Sequence, residues 1–297
     1  MSTMLLLLGC TTEWSDVRLE APHVVQRLPP GELTLPSPTP GVDAAQLAQA
    51  VRRVKAVAPV NATIRIVPPF VLVGDEPEAT VDARAALLDR TLTLFRADYF
   101  DVELDEPWEI WLFRDADSYR RNTYSLFNQY PTTPYGFADG NHRALVMNIA
   151  TGGGTLVHEL AHPYINAGIP WVPTWFNEGF ASLFEQVGEE DGHLVGYLNW
   201  RLPTLQLHIE AGDVPDLAAF MAQDADTFRG ERVALHYAMA RYLCFYLQEH
   251  GKLQEYYAAL KARPEDPTGY ATLQRVLGEA DMGDFQRRWE AWAMALE

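Results

Sequence analysis

The segment Val157-His158-Glu159-Leu160-Ala161-His162 constrains this chain more than any other. It lies in an apolar stripe (Leu156, Val157, Leu160, Ala161, Ile165) whose spacing predicts a helix buried against a core. Residues four apart on a helix stand one turn above each other, so both imidazoles project from one face. A fold that buries this helix must build a polar site around the three side chains. Two neutral imidazoles about 2.0–2.1 Å from a zinc ion supply half of a tetrahedral shell. Glu159 then points towards the open coordination position, where it can take a proton from bound water. An accidental H-E-x-x-H in a chain of this length has a chance of about 1%. Pro163 removes one helical hydrogen bond, at about 3 kcal/mol in a helix interior, so a kink or helix end is expected just after His162.

The third ligand decides the class of site. A metzincin continuation needs Gly three and His six residues past the second histidine; Ile165 and Gly168 stand there, which excludes it. Downstream lies Pro173-Thr174-Trp175-Phe176-Asn177-Glu178-Gly179-Phe180-Ala181. This resembles the W-x-N-E-G-x-A segment of gluzincin zinc metallopeptidases, whose glutamate completes a His-His-Glu shell from the next helix. The resemblance implies a metal held by His158, His162 and Glu178, with a short loop over 166–174 between the two helices. By element order it extends from about residue 62 to the C-terminus and is similar to the peptidase-MA-like family of bacterial gluzincins, although motifs match only over 135–182.

The family resemblance carries further expectations. It implies a zincin-like fold and hydrolysis of a peptide or protein substrate by a metal-activated water, with Glu159 as general base. The strand over 144–149 would pair with substrate backbone by β-augmentation; a buried core strand is the other reading of that run. A second donor to the developing oxyanion is expected from Tyr237, with His236 as its substitute. Ser182 stands where the thermolysin-like pattern has an Asp, so the partner that group would give a ligand is either missing or replaced, with Glu185 as the candidate replacement. No Gly-x-Met-Glu-Asn segment is present, so an endopeptidase is expected over an aminopeptidase. The competing reading is a catalytically silent zincin-fold lipoprotein acting as a binding or scaffold module. Glu159 argues against it, since a scaffold has no need of a base beside the ligands. A purely structural zinc usually takes four protein ligands, and no fourth Cys or His is positioned to close this site.

The rest of the chain sets the frame. The formal net charge is −17, which argues against nucleic acid or an anionic lipid surface as partner. With 48% hydrophobic residues the chain can bury a sizeable core. Two cysteines, Cys10 and Cys244, provide no disulfide framework; Cys244 lies in an apolar helical stretch and reads as a small core residue. Leu7-Leu8-Gly9-Cys10 resembles the Leu-x-Gly-Cys box of a bacterial lipoprotein signal, with Cys10 as the lipidated residue. The apolar run before it is short and no basic residue precedes it; a start codon further upstream would account for both. Residues 11–42 read as a proline-rich tether, which would hold the body at the cell envelope by a lipid anchor.

Residues 43–297 read as one catalytic domain. A helix capped by Asp43 is expected over 43–57, a bent or edge strand over 63–73, a helix over 77–99, a strand over 108–113 and a helix over 115–130. A hairpin follows around Asp139-Gly140-Asn141-His142, joining Phe137 to 144–149. From 152 onward helices are expected over 154–167, 174–187, 215–222, 231–250, 253–262 and 282–296. The fold class is therefore α+β: a small mixed sheet with helices over 43–151, then a mostly helical part over 152–297, with the active-site helix between them. His193, His208 and His250 read as surface or capping residues and His142 as a turn residue. Trp171, Trp175, Phe176, Phe180, Trp289 and Trp292 read as packing residues. The oligomeric state leaves no mark in the sequence.

Overall fold

The computed structural model describes residues 41–297. The readings placed on the leader, Cys10 and the tether as far as residue 40 lie outside the described residues. The first half runs α1 (Ala44–Val57), β1 (Thr63–Val67), β2 (Phe70–Gly74), α2 (Glu78–Asp98), β3 (Trp108–Phe113), α3 (Ala116–Phe127), β4 (Gly136–Asp139) and β5 (Ala144–Asn148). Asp43 caps α1 in a reciprocal box with Gln46, and Leu47, Ala50, Val51 and Val54 form its buried face. The run 63–73 is not one bent strand. Pro68-Pro69 cannot donate to a ladder, so the chain reverses there and β1 pairs antiparallel with β2.

The five strands lie in the order β1-β2-β3-β5-β4, with β2, β3 and β5 parallel and the two outer strands antiparallel to their neighbours. Helices cover both faces, which is why β2 and β5 are buried at every residue. Val71, Val73, Trp111, Phe113 and Val146 point towards α1 and α3. Phe70, Leu72, Ile110, Leu112 and Met147 point into the larger core with α2 and the helices that follow. The strand expected to receive substrate, over 144–149, is hydrogen-bonded on both sides, to β3 and β4. It has no edge to offer; among the described residues the outermost strand on that side is β4.

The second half runs α4 (Gly154–Gly168), α5 (Thr174–Leu183), β6 (Val187–Glu190), β7 (His193–Gly196), α6 (Leu202–Glu210), α7 (Leu217–Met221), α8 (Ala225–Phe228), α9 (Val233–Glu249), α10 (Leu253–Lys261), α11 (Tyr270–Leu277) and α12 (Met282–Met294). The protein is α+β, a mixed sheet followed by a mostly helical half. The helix α4 runs through Pro163 to Gly168, close to the span expected over 154–167, so of the two readings at Pro163 a helix end is ruled out. Pro163 lacks the N–H that would bond the Glu159 carbonyl four residues back, and burial of the surrounding apolar turns offsets that loss. The helix expected over 174–187 stops at Leu183, and β6 and β7 form a hairpin instead. The signal for it was Asp191-Gly192, both with positive φ, the pair that a two-residue hairpin turn requires.

Helices α5 and α9 make the closest contact of the helical half. A Cβ on Gly179 would stand 2.5 Å from the Ala240 carbonyl oxygen, so the two helices meet nearly backbone to backbone. Trp175, Phe176, Phe180 and Trp289 are all core residues, with Trp171 and Trp292 partly buried against them. Cys244 is buried in α9, where burial raises its thiol pKa, as a small core residue requires.

Candidate metal centre

The buried helix α4 delivers His158 and His162 one turn apart, with ring centroids 5.0 Å from each other. Helix α5 brings Glu178 opposite them: its Oε2 lies 3.5 Å from His158 Nε2 and 4.0 Å from His162 Nε2. One ligand atom from each of the three lies within 4.8 Å of the others. Two atoms each about 2.0–2.1 Å from a tetrahedral ion stand about 3.4 Å apart, so this spacing nearly fits. All three residues are buried, and among the described residues Glu178 Oε2 has no donor in good hydrogen-bond geometry, the nearest being His158 Nε2 at 3.5 Å. A buried carboxylate oxygen without a well-aligned donor, facing two imidazole nitrogens, is costly unless a cation joins them. The group could therefore hold a metal ion.

Each ligand is held from behind. His158 Nδ1 lies 3.2 Å from Glu185 Oε1, although without hydrogen-bond geometry. Arg201 grips Glu185 with two bonds of 2.7 and 2.9 Å, and Asn199 adds a third of 3.3 Å. Ser182 does not serve here; its hydroxyl is buried without a partner, and Glu185 faces the ligand instead. Asn177 Oδ1 stands 2.9 Å from His162 Nδ1, and the Asn177 amide donates to Asn166. The Asn preceding the ligand glutamate thus orients the second imidazole. Gly154 is the first residue of α4, and a Cβ there would meet the Glu185 carbonyl oxygen at 2.1 Å, so the Glu185 backbone lies directly on the first helical turn.

Burial and neighbouring charges shift His158, Glu159, Glu178 and Glu185 in different directions. Burial alone would lower His158, but Glu178 and Glu185 outweigh it and raise its pKa to about 10. Burial alone would raise Glu178; the two imidazoles and Arg229 hold it far below the usual carboxylate range. Glu185 is held down to about 2, because Arg201 and His158 overcome its burial. Glu159 moves the other way: burial raises its pKa, against the pull of the two histidines. That shift favours a group that must accept a proton.

Helix α9 supplies the remaining candidates. Tyr237 packs against Phe228, its ring lies under the Arg201 guanidinium at 4.9 Å, and its phenol interacts with Glu178 and Arg229. Burial first, then Glu178, raises the phenol pKa, which keeps it a proton donor. The structure does not bring His236 to the cluster of His158, His162 and Glu178. Its ring is buried on another side of α9, with Nδ1 2.8 Å from the Phe228 carbonyl oxygen and Nε2 3.3 Å from the Gln223 amide. The other histidines have partners elsewhere: His142 with Asp139, His193 with Asp98, His208 with Asp213 and His250 with the Tyr246 carbonyl. Sequence reasoning missed Arg229, which donates from Nη2 to Glu178 Oε1 at 2.7 Å, and Arg201. Both lie outside any local pattern that would single them out. No protein-family model matches the chain, and no curated protein matches it.

Proposed function

We propose that the protein is a zinc-dependent peptidase of the gluzincin type, with the metal held by His158, His162 and Glu178. The observation that carries this is Glu178 Oε2, buried, without a well-aligned donor and turned towards both Nε2 atoms, with Glu159 one residue beyond the first ligand. A bound zinc would supply Lewis acidity to a water and to the scissile carbonyl. Glu159, its pKa raised by burial, accepts the proton of the attacking water and returns it to the leaving amine. Tyr237 donates its phenolic hydrogen to the oxygen on which charge develops. Glu185 and Asn177 hold the imidazoles in place, so the ligands need little reorganisation.

Substrate backbone would pair with β4, since β5 has both edges satisfied. Gly136 at the start of β4 lies against Thr155 of α4, which brings that outermost strand beside the ligand helix. Three carboxylates (Glu159, Glu178, Glu185) face two guanidinium groups, so a dication that displaces the His158 proton meets one excess negative charge. The same charge balance would serve a metal-binding scaffold, and Glu159 separates the two readings. The test is metal content by elemental analysis with cleavage of a peptide library, for the wild type, His158→Ala, Glu178→Ala and Glu159→Gln. The peptidase reading expects about one zinc per chain, lost in the two ligand variants but kept in Glu159→Gln, whose cleavage is abolished. Zinc-loaded wild type that cleaves nothing, or Glu159→Gln that cleaves like wild type, would refute it.

A further inference from the structure

Helix α9 carries two neighbouring side chains that grip the same residue. The Tyr237 ring meets Phe228 edge to face at 5.1 Å, and the His236 ring lies 5.6 Å from it. Phe228 is fully buried, with Phe220 on another side. Because a carbonyl only accepts, the short contact between His236 Nδ1 and the Phe228 oxygen fixes the proton on Nδ1 in a neutral ring. Nε2 is then the acceptor, and the Gln223 amide donates to it. The residue after this clamped carbonyl is Arg229, whose side chain is 54% exposed while the carboxylate it reaches is 4% exposed. Its bond goes to Glu178 Oε1, the oxygen that does not face the imidazoles.

We propose that His236 is a positioning residue for the metal centre: by fixing the Phe228 carbonyl it sets Arg229, which holds Glu178 with Oε2 turned to the metal. The inference rests on the reading of His158, His162 and Glu178 as a metal site. A long exposed arginine alone would lose rotamer entropy on reaching a buried oxygen; anchoring the backbone at Phe228 removes part of that cost. Holding Oε1 by a charge-assisted bond prevents the carboxylate from rotating, which would present both oxygens or neither. Conserving orientation in this way is what groups behind metal ligands do, and their loss typically weakens binding 10–100-fold.

The test uses the full chain and zinc itself, with affinity read by competition against a chromophoric chelator. Asn places its amide nitrogen where His carries Nδ1, whereas Gln places it where His carries Nε2. His236→Asn is expected to keep zinc affinity within about twofold, while His236→Gln and His236→Ala weaken it about tenfold or more. Arg229→Ala is expected to weaken it to a similar degree, and the double variant His236→Ala/Arg229→Ala to be no weaker than Arg229→Ala alone. Melting of the zinc-free variants is followed in parallel, and if His236→Ala does not fold, the Asn and Gln pair carries the comparison. Additive losses in the double variant, an Asn variant as poor as Gln, or affinities equal to wild type would each overturn the proposal. Wild type that takes up no zinc would overturn the metal centre and this inference together.

Discussion

Replacing Gly154 by Ala sets two effects of opposite sign against each other. Within a helix, Ala is favoured over Gly by about 1 kcal/mol, so an open site would make the variant more stable. The site is not open: the new methyl would stand 2.1 Å from the Glu185 carbonyl oxygen, 2.9 Å from its carbonyl carbon and 3.1 Å from its Cα. All three are backbone atoms, so relief requires the 183–187 segment to move by about 1 Å to reach an ordinary contact distance. Overpacking of this kind costs about 1–3 kcal/mol, which outweighs the propensity gain or roughly cancels it. The displaced residue is the one whose carboxylate stands 3.2 Å from His158 Nδ1. Gly154→Ala is thus expected to change folding stability by no more than about 2 kcal/mol yet to weaken zinc binding about tenfold or more. Urea unfolding of the zinc-free protein and chelator competition measure the two quantities separately. A variant that is more stable by about 1 kcal/mol and binds zinc like wild type would refute both the contact and the role given to Glu185.

Three further outcomes are expected. Without zinc, His158 has a folded pKa of about 10 against about 6.5 unfolded, so it stabilises the fold below the unfolded value and loses that contribution as pH rises through the folded one. Zinc must displace this proton, so apparent affinity should rise between pH 7.5 and 9.5 by about one log unit per pH unit, and a flat profile would show His158 already neutral. Arg241→Met removes the guanidinium donor from the Leu183 and Tyr197 carbonyls, while the Ser182 carbonyl keeps the Glu185 N–H, and at about 1–3 kcal/mol each the loss should be at least about 2 kcal/mol by denaturant unfolding. Expressed with a bacterial signal supplied upstream, the chain should incorporate labelled fatty acid, and Cys10→Ser should abolish it; equal labelling would remove the anchor reading.

The cluster of His158, His162 and Glu178, which could hold a metal ion, was legible because its geometry is local. Two histidines a turn apart and a glutamate with a glycine after it each state their position within a few residues, and a helix converts spacing into direction. Glu185 was legible only as a replacement for the group absent at Ser182. Arg201 and Arg229 could not be found, because each reaches its carboxylate from a connecting segment whose path is set by tertiary packing. Tyr237 is the preferred reading and His236 its substitute: adjacent residues on a helix point about 100° apart, so only one of them could face Glu178, and it is Tyr237 that does. In the sheet, apolar content identified β5 as a strand but said nothing of its neighbours. Register and strand order depend on contacts between distant segments, so the reading of 144–149 as a receiving edge failed there.

The outermost strand β4 has a bearing on how this protein behaves in concentrated solution. An exposed strand edge is a template on which another copy can add a strand, and long flat edges lead to aggregation. Here the strand spans Gly136–Asp139, with Pro131 and Pro134 before it and Asp139 turned into the hydrogen bonds of the next turn. Prolines on one side and a tight turn on the other limit any pairing to a few residues. Such an edge is too brief to seed a growing stack of its own kind.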